Sequence, residues 1–258
     1  MEPLVSCILA THNRQPFLTQ AIRYFRHQTY ANRELVIIDD GEQDCEEVVR
    51  DQSLKDLHIH YIKLNEYTPL GRKLNLGIAQ SHGKVIQKLD DDDYYHPDFL
   101  NATVQTLLGQ NPECSIVGFD CFLVLIAETG TLKFSGQGWC AGGTLCFFRE
   151  LWQKQCFQDV PRAVDWCFLQ DHAIQRFKII NPELYILVRH RYGHLWNTLK
   201  QMDVTEYFQR QPPYAKSLRE CLTSEEDWWF YQKMIAPHIL KSFHIEPRNP
   251  IVQSIALS

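Results

Sequence analysis

The chain contains 258 residues, of which 45% are hydrophobic and 22% charged, and it carries a formal net charge of −5. This length suits one large α/β domain, or one domain with a tail. The negative charge argues against broad electrostatic binding to nucleic acid. No stretch approaches the ~20 apolar residues that a helix needs to span a bilayer.

The nine cysteines show neither CxxC pairs nor the spacing of zinc ligands. Four of them lie in apolar stretches, at Cys7, Cys121, Cys146 and Cys167. This usage predicts reduced, buried thiols and therefore a cytoplasmic protein. Residues 1–5 lack the basic segment and the long apolar core of a signal peptide, so none is predicted.

Strands and helices alternate in the first part of the chain. Short apolar runs predict strands at residues 4–10, 34–38, 58–64 and 84–89. Apolar residues at helical spacing predict helices from Pro16, at residues 45–52, at 70–78 and at 97–108. This alternation predicts βαβ units and an α/β fold with a mostly parallel, doubly wound sheet flanked by helices.

The second part has a different character. Strands are predicted at residues 115–119, 121–127, 132–134, 144–148 and 184–188, and helices at 149–157 and 165–177. Trp139 lies in a glycine-rich loop, where it could line a pocket or belong to the core. Beyond residue 197 the chain reads as polar, aromatic-rich helices, which form a predicted helical extension over residues 197–258.

Four consecutive carboxylates, Asp90 to Asp93, follow the fourth predicted strand and precede Pro97. Because they repel one another, they are tolerated only in open water or around a cation. The carboxyl end of a parallel strand is where open α/β sheets place ligands. Hard cations such as Mg²⁺ combine a few carboxylates with substrate phosphates. The run therefore predicts a metal-diphosphate anchor, and the alternative is a solvated acidic turn.

Two other strand ends carry polar residues, at 11–14 and 39–41. Asp40 could accept a hydrogen bond from a nucleobase, while Arg14 and Lys73 could contact phosphate oxygens. Taken singly, residues 39–41 could be a simple turn, and Arg72 with Lys73 a solvated helix face. Their convergence on one sheet edge favours a nucleotide site.

These segments resemble family 2 glycosyltransferases of the GT-A fold. The matching segments are residues 5–14 (VSCILATHNR), 35–41 (LVIIDDG), 70–78 (LGRKLNLGI) and 89–100 (LDDDDYYHPDFL). The resemblance implies a metal-dependent transfer of a sugar from a nucleotide-diphosphate donor, with UDP-sugar favoured, to a hydroxyl group with inversion. It also divides residues 1–196 into a nucleotide-binding half, 1–110, and an acceptor-binding half, 111–196.

The resemblance implies a role for each of these positions. Thr11 and His12 would contact the nucleoside, with Asp40 on its base. Asp90 and Asp92 would be the outer residues of the Asp-x-Asp motif that binds Mn²⁺ or Mg²⁺. Asp92 is the expected direct ligand, and Asp91 would lie near the ribose or phosphates.

An inverting enzyme also needs a base for the acceptor hydroxyl. The resemblance assigns it to Asp165, although Val164 replaces the glutamate that usually precedes this residue. Asp171 is the rival, and Asp165 could instead be a helix N-cap. His190 and His194 follow the last strand of the domain, where the resemblance implies a histidine on the metal or diphosphate. His194 is preferred.

Aromatic and apolar residues recur in the tail, at Trp228, Trp229, Phe230, Tyr231, Met234, Ile235, Ile239 and Leu240. They predict packing against the core or a second subunit, with attachment to the inner face of a membrane as the alternative. The acceptor could be a glycan, a lipid-linked sugar or a protein. The competing functions are a catalytically silent sugar-nucleotide-binding or scaffold protein, and a nucleotidyltransferase, for which residues 11–14 match poorly.

Overall fold

The computed structural model of the protein describes residues 2–42, 45–53, 58–160, 162–171, 174–190, 194, 198–199 and 202–235. The first strands are β1 (Val5–Thr11), β2 (Arg33–Asp39), β3 (Ile59–Lys63), β4 (Val85–Asp90), β5 (Tyr94–Tyr95), β6 (Ser115–Phe119) and β7 (Leu123–Ile126). The later strands are β8 (Thr131–Phe134), β9 (Cys146–Phe148), β10 (Gln175–Ile179), β11 (Tyr185–Arg189), β12 (Thr198–Leu199) and β13 (Met202–Asp203).

The helices lie between these strands in the first half and follow them in the tail. They are α1 (Gln15–Arg26), α2 (Glu46–Ser53), α3 (Leu70–Gln80), α4 (Phe99–Leu107), α5 (Arg149–Lys154), α6 (Val164–Asp171), α7 (Val204–Gln209), α8 (Leu218–Cys221) and α9 (Glu225–Ile235). A short 3₁₀ turn at Gly142–Thr144 precedes β9.

The central sheet has seven strands in the order β10-β6-β9-β4-β1-β2-β3. All of its neighbours pair in parallel except β9, which runs antiparallel to both β4 and β6. Most of β1 and the middle of β2, residues 35–38, are apolar because apolar side chains cover both faces of the sheet. The structure confirms the predicted α/β fold with a mostly parallel sheet flanked by helices.

A second sheet holds the acidic run in place. It has four strands in the order β5-β11-β7-β8, and β5 follows the run immediately. Tyr94 and Tyr95 of β5 pair with Ile186 and Tyr185 of β11. The acidic run therefore connects the two sheets, with β4 on one side of it and β5 on the other.

One predicted helix is wrong over its second half. The helix expected at residues 165–177 ends at Asp171, and residues 175–179 form β10, the edge strand beside β6. Partly buried Phe177 and Ile179 alternate with exposed Arg176 and Lys178, which is the period of a strand. Pairing with β6 outweighs the local helical pattern.

The helices after residue 203 pack against the first part of the chain. Buried side chains from this segment belong to the main apolar cluster, namely Val204, Phe208, Leu218, Cys221, Tyr231 and Met234. Predicted tail contacts by Ile239 and Leu240 lie outside the described residues, and the domain boundary at residue 197 stays a prediction. None of the described helices combines the length and apolar character that crossing a bilayer requires.

Candidate functional site

The carboxyl ends of three neighbouring strands meet at one edge of the central sheet. Thr11 of β1 lies beside Asp39 of β2, and Ala10 lies beside Asp90 of β4. A cleft opens at this edge, and its lining includes Thr11, His12, Arg14, Lys73, Asp90, Asp91, Asp92, Asp93, Asp165 and His194. The structure therefore brings all predicted site residues except Asp40 to the lining of one cleft, and Asp40 contacts His12 and Lys73 directly behind it.

The loops after β1 and β2 are locked together by Asn13. Its φ of 52° is left-handed, a conformation that asparagine tolerates better than most residues. Its side-chain oxygen accepts from the backbone N–H of Glu42 at 2.6 Å. A Cβ on Gly41 would lie 2.5 Å from the backbone nitrogen of Asn13, so a larger residue would separate the loops. This contact fixes the backbone directly after His12 and directly after Asp40.

Asp40 is the centre of a buried polar network. Its Oδ1 lies 2.9 Å from His12 Nδ1 and accepts from Lys73 Nζ at 2.8 Å, while its Oδ2 accepts from the backbone N–H of Thr68 at 2.7 Å. Burial raises the pKa of Asp40, but the His12 hydrogen bond and the Lys73 charge outweigh it and lower the pKa to about 2. The Asp40 side chain is fully buried and lies outside the cleft lining, so its contact with a nucleobase stays a prediction.

Lys73 is turned toward Asp40 and the backbone oxygen of Thr11, which it reaches at 3.0 Å. Its side chain is buried, whereas its neighbour Arg72 is exposed and lies 3.8 Å from Asp159. Contact between Lys73 and a phosphate stays a prediction, and in this structure its charge stabilises Asp40 and the end of β1.

The four aspartates of the acidic run have different partners. Asp90 accepts from Lys88 at 2.7 Å, and Asp91 accepts from Thr11 and from Arg14, both at 2.7 Å. Asp93 accepts from the Tyr185 hydroxyl and, at 2.9 Å, from the backbone N–H of Val188. Asp91, Asp92 and Asp93 are all buried. The run is therefore not a solvated acidic turn.

Asp92 differs from the other three aspartates because an arginine and two histidines surround its carboxylate. Its Oδ2 lies 2.8 Å from Arg14 Nη1, 3.1 Å from His190 Nε2 and 3.4 Å from His194 Nδ1. Burial would raise the pKa of Asp92, but Arg14 and the two histidines hold it well below its ordinary value. Asp92 therefore stays ionised, as a metal-binding carboxylate must.

Asp92, His190 and His194 form a cluster that fits a divalent metal. One ligand atom from each residue lies within 4.8 Å of the other two, the only such group of three among the described residues. Burial lowers the pKa of both histidines and favours the neutral imidazole that coordinates metal. One carboxylate with two imidazoles suits Mn²⁺ better than Mg²⁺, which prefers oxygen ligands throughout.

This cluster differs from the predicted ligand set of Asp92, Asp90 and His194. His190 occupies the third position, and Asp90 instead contacts Lys88. A Cβ on Gly143 would lie 2.6 Å from the second carboxylate oxygen of Asp90, which places this oxygen against the 3₁₀ turn. A metal role for Asp90 stays a prediction.

Asp165 lies in the first turn of α6 and lines the same cleft. Its Oδ2 is 3.5 Å from Lys88 Nζ, and its buried Oδ1 has no hydrogen-bond partner among the described residues. Burial raises the pKa of Asp165 despite the opposing charge of Lys88. Since α6 begins at Val164, Asp165 is not its N-cap.

The rival residue Asp171 lies at the other end of α6. It is exposed, and its carboxylate accepts from the Gln158 side chain at 2.7 and 2.8 Å. Val164, which stands where a glutamate was expected, is buried in the apolar cluster on that face of the sheet. The geometry therefore favours Asp165 over Asp171 for contact with a ligand in the cleft.

Two features of the site were missed at the level of sequence. Lys88 is buried between Asp90 and Asp165, and a charged residue inside an apolar strand was the available signal. The Gly142–Thr144 turn packs against Asp165, since a Cβ on Gly142 would lie 2.4 Å from its Oδ2. Trp139 packs against Phe122 and Phe208 and is not part of the cleft lining.

A mostly parallel sheet with acidic residues at its carboxyl edge places the chain in the GT-A class of glycosyltransferase folds, and solved structures of this class superpose on it. A mannosyltransferase from Pyrobaculum calidifontis, in complex with GDP-Man and Mn²⁺, aligns with a TM-score of 0.58 and 20% identity over 73% of this chain and 57% of its own. TarS from S. aureus, in complex with UDP-GlcNAc, aligns with a TM-score of 0.60 and 14% identity over 95% of this chain and 68% of its own.

The sequence model of Glycosyl transferase family 2 matches residues 6–161, which is more than half of the chain. The chain therefore belongs to glycosyl transferase family 2, as its motifs predicted. A Campylobacter jejuni relative, GalNAc(5)-diNAcBac-PP-undecaprenol beta-1,3-glucosyltransferase, is 33% identical over 53% of this chain. Glycosyltransferase GlyG of Streptococcus pneumoniae is 23% identical over 72% of it. These matches cover 43% and 59% of the relatives' own lengths.

Proposed function

We propose that this glycosyltransferase is metal-dependent and inverting, and that it moves a sugar from a UDP-sugar to a hydroxyl acceptor. The observation that carries this proposal is the Asp92, His190 and His194 cluster, of which Asp92 and His194 line the same cleft as Asp165. The Mn²⁺ and nucleotide-sugar complexes of the two structural neighbours support a metal and a nucleotide-sugar donor.

On the donor side, Asp92 and the two histidines would hold the metal. The bound metal would neutralise the charge that develops on the departing diphosphate. Arg14 is already beside Asp91 and Asp92, and its planar fork can pair with phosphate oxygens as the donor enters. The nucleoside would lie against His12, and a hydrogen bond from its base to the buried Asp40 would require the residues around Asp40 to open.

On the acceptor side, Asp165 would take the proton of the attacking hydroxyl. Its side chain lines the cleft, and its raised pKa makes it a stronger base than an ordinary aspartate. Lys88 is held between Asp90 and Asp165 and would keep their two carboxylates from repelling one another.

The test is ¹H NMR of UDP-glucose, UDP-N-acetylglucosamine, UDP-galactose and GDP-mannose incubated with the full chain and Mn²⁺, Mg²⁺ or a chelator. We expect one donor to be cleaved only with metal present, and the first sugar anomer released to be opposite to that of the donor. Asp92→Asn should lower the rate at least ~100-fold.

The matched control is Asp98→Asn, which removes a carboxylate that is 56% exposed and outside the cleft lining. This variant should keep the wild-type rate within about twofold. Full cleavage in the chelator, or in Asp92→Asn, would reject the metal-dependent mechanism. Metal-dependent nucleotide binding without cleavage or transfer would instead favour a silent sugar-nucleotide-binding protein, for which the Val164 substitution is the motivating observation.

The acceptor can be sought by testing candidate molecules for sugar transfer. The name of the Campylobacter relative describes transfer to a lipid-linked saccharide, and this supports testing polyprenyl-diphosphate saccharides before free glycans and peptides. Transfer to a free glycan or a peptide, with none to the lipid-linked saccharide, would contradict this order.

A further inference from the structure

His190 is held by its neighbours in one orientation. Its Nε2 lies 3.1 Å from Asp92, and its ring centroid is 4.1 Å from that of His194. The ring of Phe17 stacks on the imidazole with centroids 4.7 Å apart and planes inclined by 22°. Phe17 is itself buried. The direction of His190 Nε2 therefore depends on where Phe17 stands.

Phe17 belongs to the first turn of α1, the same end that presents Arg14 to Asp91 and Asp92. A small shift of this end would move the guanidinium and the phenyl ring together. The position of α1 is therefore part of the geometry of the Asp92, His190 and His194 cluster.

Helix α9, the last helix of the described residues, holds α1 from the other side. Its buried Asp227 accepts from Gln20 Nε2 at 2.7 Å and from Arg23 Nε at 3.1 Å. The Tyr24 and Tyr231 hydroxyls are hydrogen-bonded at 2.9 Å. Phe230 packs edge-on against Phe17, with ring centroids 6.0 Å apart. One face of α9 thus contacts α1 from Phe17 to Tyr24.

We propose that Phe17, held by Phe230 of α9, is a positioning residue for the metal ligand His190. This inference rests on the proposed function, because it assumes that the cluster holds a metal. The physical reason is that an imidazole binds metal only along its nitrogen lone pair, so residues that orient the ring affect affinity. The role of α9 is then to keep the site in its binding geometry.

The test measures Mn²⁺ affinity of the full chain by electron paramagnetic resonance, with UDP or GDP present. Phe17→Leu keeps an apolar side chain but removes the flat ring, and it should weaken Mn²⁺ binding about tenfold. The matched control is Phe25→Leu, which truncates an equally buried phenylalanine near the far end of α1. It should lower the thermal midpoint and leave Mn²⁺ affinity within about twofold.

Phe230→Leu tests the support from α9 separately, because Phe230 packs on Phe17 and is not one of the three residues of the cluster. It should weaken Mn²⁺ binding about threefold alone and add nothing in the Phe17→Leu background, since it acts through Phe17. This variant also keeps the test informative if Phe17→Leu fails to fold.

If Phe17→Leu and Phe230→Leu both bind Mn²⁺ with wild-type affinity while Asp92→Asn abolishes binding, the positioning role of Phe17 is overturned and the proposed metal site is not. An additive effect of Phe230→Leu would also overturn this role. Absence of Mn²⁺ binding by the wild type, with either nucleotide, would instead overturn the proposed metal site together with the inference.

Discussion

Adjacent aspartates acquire different chemistry here because each one faces a different element. Asp91 and Asp92 meet Arg14, while Asp93 meets the strand β11. Burial and the neighbouring carboxylates raise the pKa of Asp93 well above its ordinary value, whereas the pKa of Asp92 is held well below it. A run of identical residues thus separates into one ionised carboxylate and one residue that favours its proton, by environment alone.

The pH dependence of the reaction tests the proposed base. A base works only when ionised, so activity falls as the pH drops through the pKa of Asp165. Because this pKa is raised, we expect the acid limb of kcat/KM to lie above the ordinary aspartate value of 3.8. Asp165→Asn should lower kcat/KM by ~10²- to 10⁴-fold.

The control is Asp171→Asn, which removes the exposed carboxylate at the other end of α6. It should change kcat/KM by less than about twofold. If Asp171→Asn loses activity and Asp165→Asn does not, the assignment of the base is reversed.

At the scale of the elements, the first half of the fold and its strand ends could be predicted because their signals are local. An apolar strand, a polar strand end and an amphipathic helix recur from residue 4 to residue 107, and each lies within one window of sequence. The carboxyl ends of β1, β2 and β4 then meet at one edge by topology. This is why residues 11–14, Asp40 and Asp92 could be placed near one another before their contacts were known, whereas Asp165 in α6 was assigned from the resemblance to the family.

The second half depends on contacts between distant segments. The sequence of β10 resembles the end of a helix, and only its pairing with β6 makes it a strand. The two-residue strand β5 likewise exists only through pairing with β11. The stack of Phe17 on His190 joins residues far apart in sequence, so no local pattern indicates it. Lys88 differs in that its charge inside an apolar strand was a local signal, but its partner Asp165 belongs to α6 and could not be read from that strand.

Two glycines in α3 test whether backbone or side-chain contacts limit the packing of this helix. A Cβ at Gly71 would lie 2.1 Å from the backbone oxygen of Gln158, whereas one at Gly77 would meet side-chain atoms of Ile38 and Ile8. Because backbone cannot move aside locally, Gly71→Ala should lower the free energy of unfolding by ~1–3 kcal/mol, despite the better helix propensity of alanine.

Gly77→Ala should cost less, since the isoleucine side chains can adjust and the gain in helix propensity offsets part of the clash. Urea denaturation of the two variants and the wild type gives the comparison. If Gly71→Ala is as stable as the wild type, the backbone around Gln158 can move aside at little cost in free energy.

For the whole molecule, the buried charges at the sheet edge link stability to pH. Lys73 and Asp40 form a buried ion pair that joins α3 to the end of β2. Breaking such a pair by removing one partner leaves an uncompensated charge in the interior. The Lys73–Asp40 pair therefore stabilises the fold only while Asp40 is ionised, and acid should unfold the protein partly through Asp40.

The direction in which stability changes with pH follows from the lowered pKa of Asp40, which is about 2 in the folded protein and ordinarily 3.8. A lowered pKa gives stability that is present above pH ~4 and lost as the pH falls toward 2, and the shift corresponds to about 2 kcal/mol. Asp40→Asn should therefore reduce the free energy of unfolding by at least ~2 kcal/mol at pH 7, with the difference from wild type shrinking between pH 4 and pH 2. Asp159→Asn, at an exposed carboxyl that is 54% accessible, should change it by less than ~0.5 kcal/mol. Denaturant titrations at pH 7, 4, 3 and 2 measure these differences. If the difference in free energy of unfolding between Asp40→Asn and the wild type stays constant over this range, the ionised form of Asp40 does not stabilise the fold.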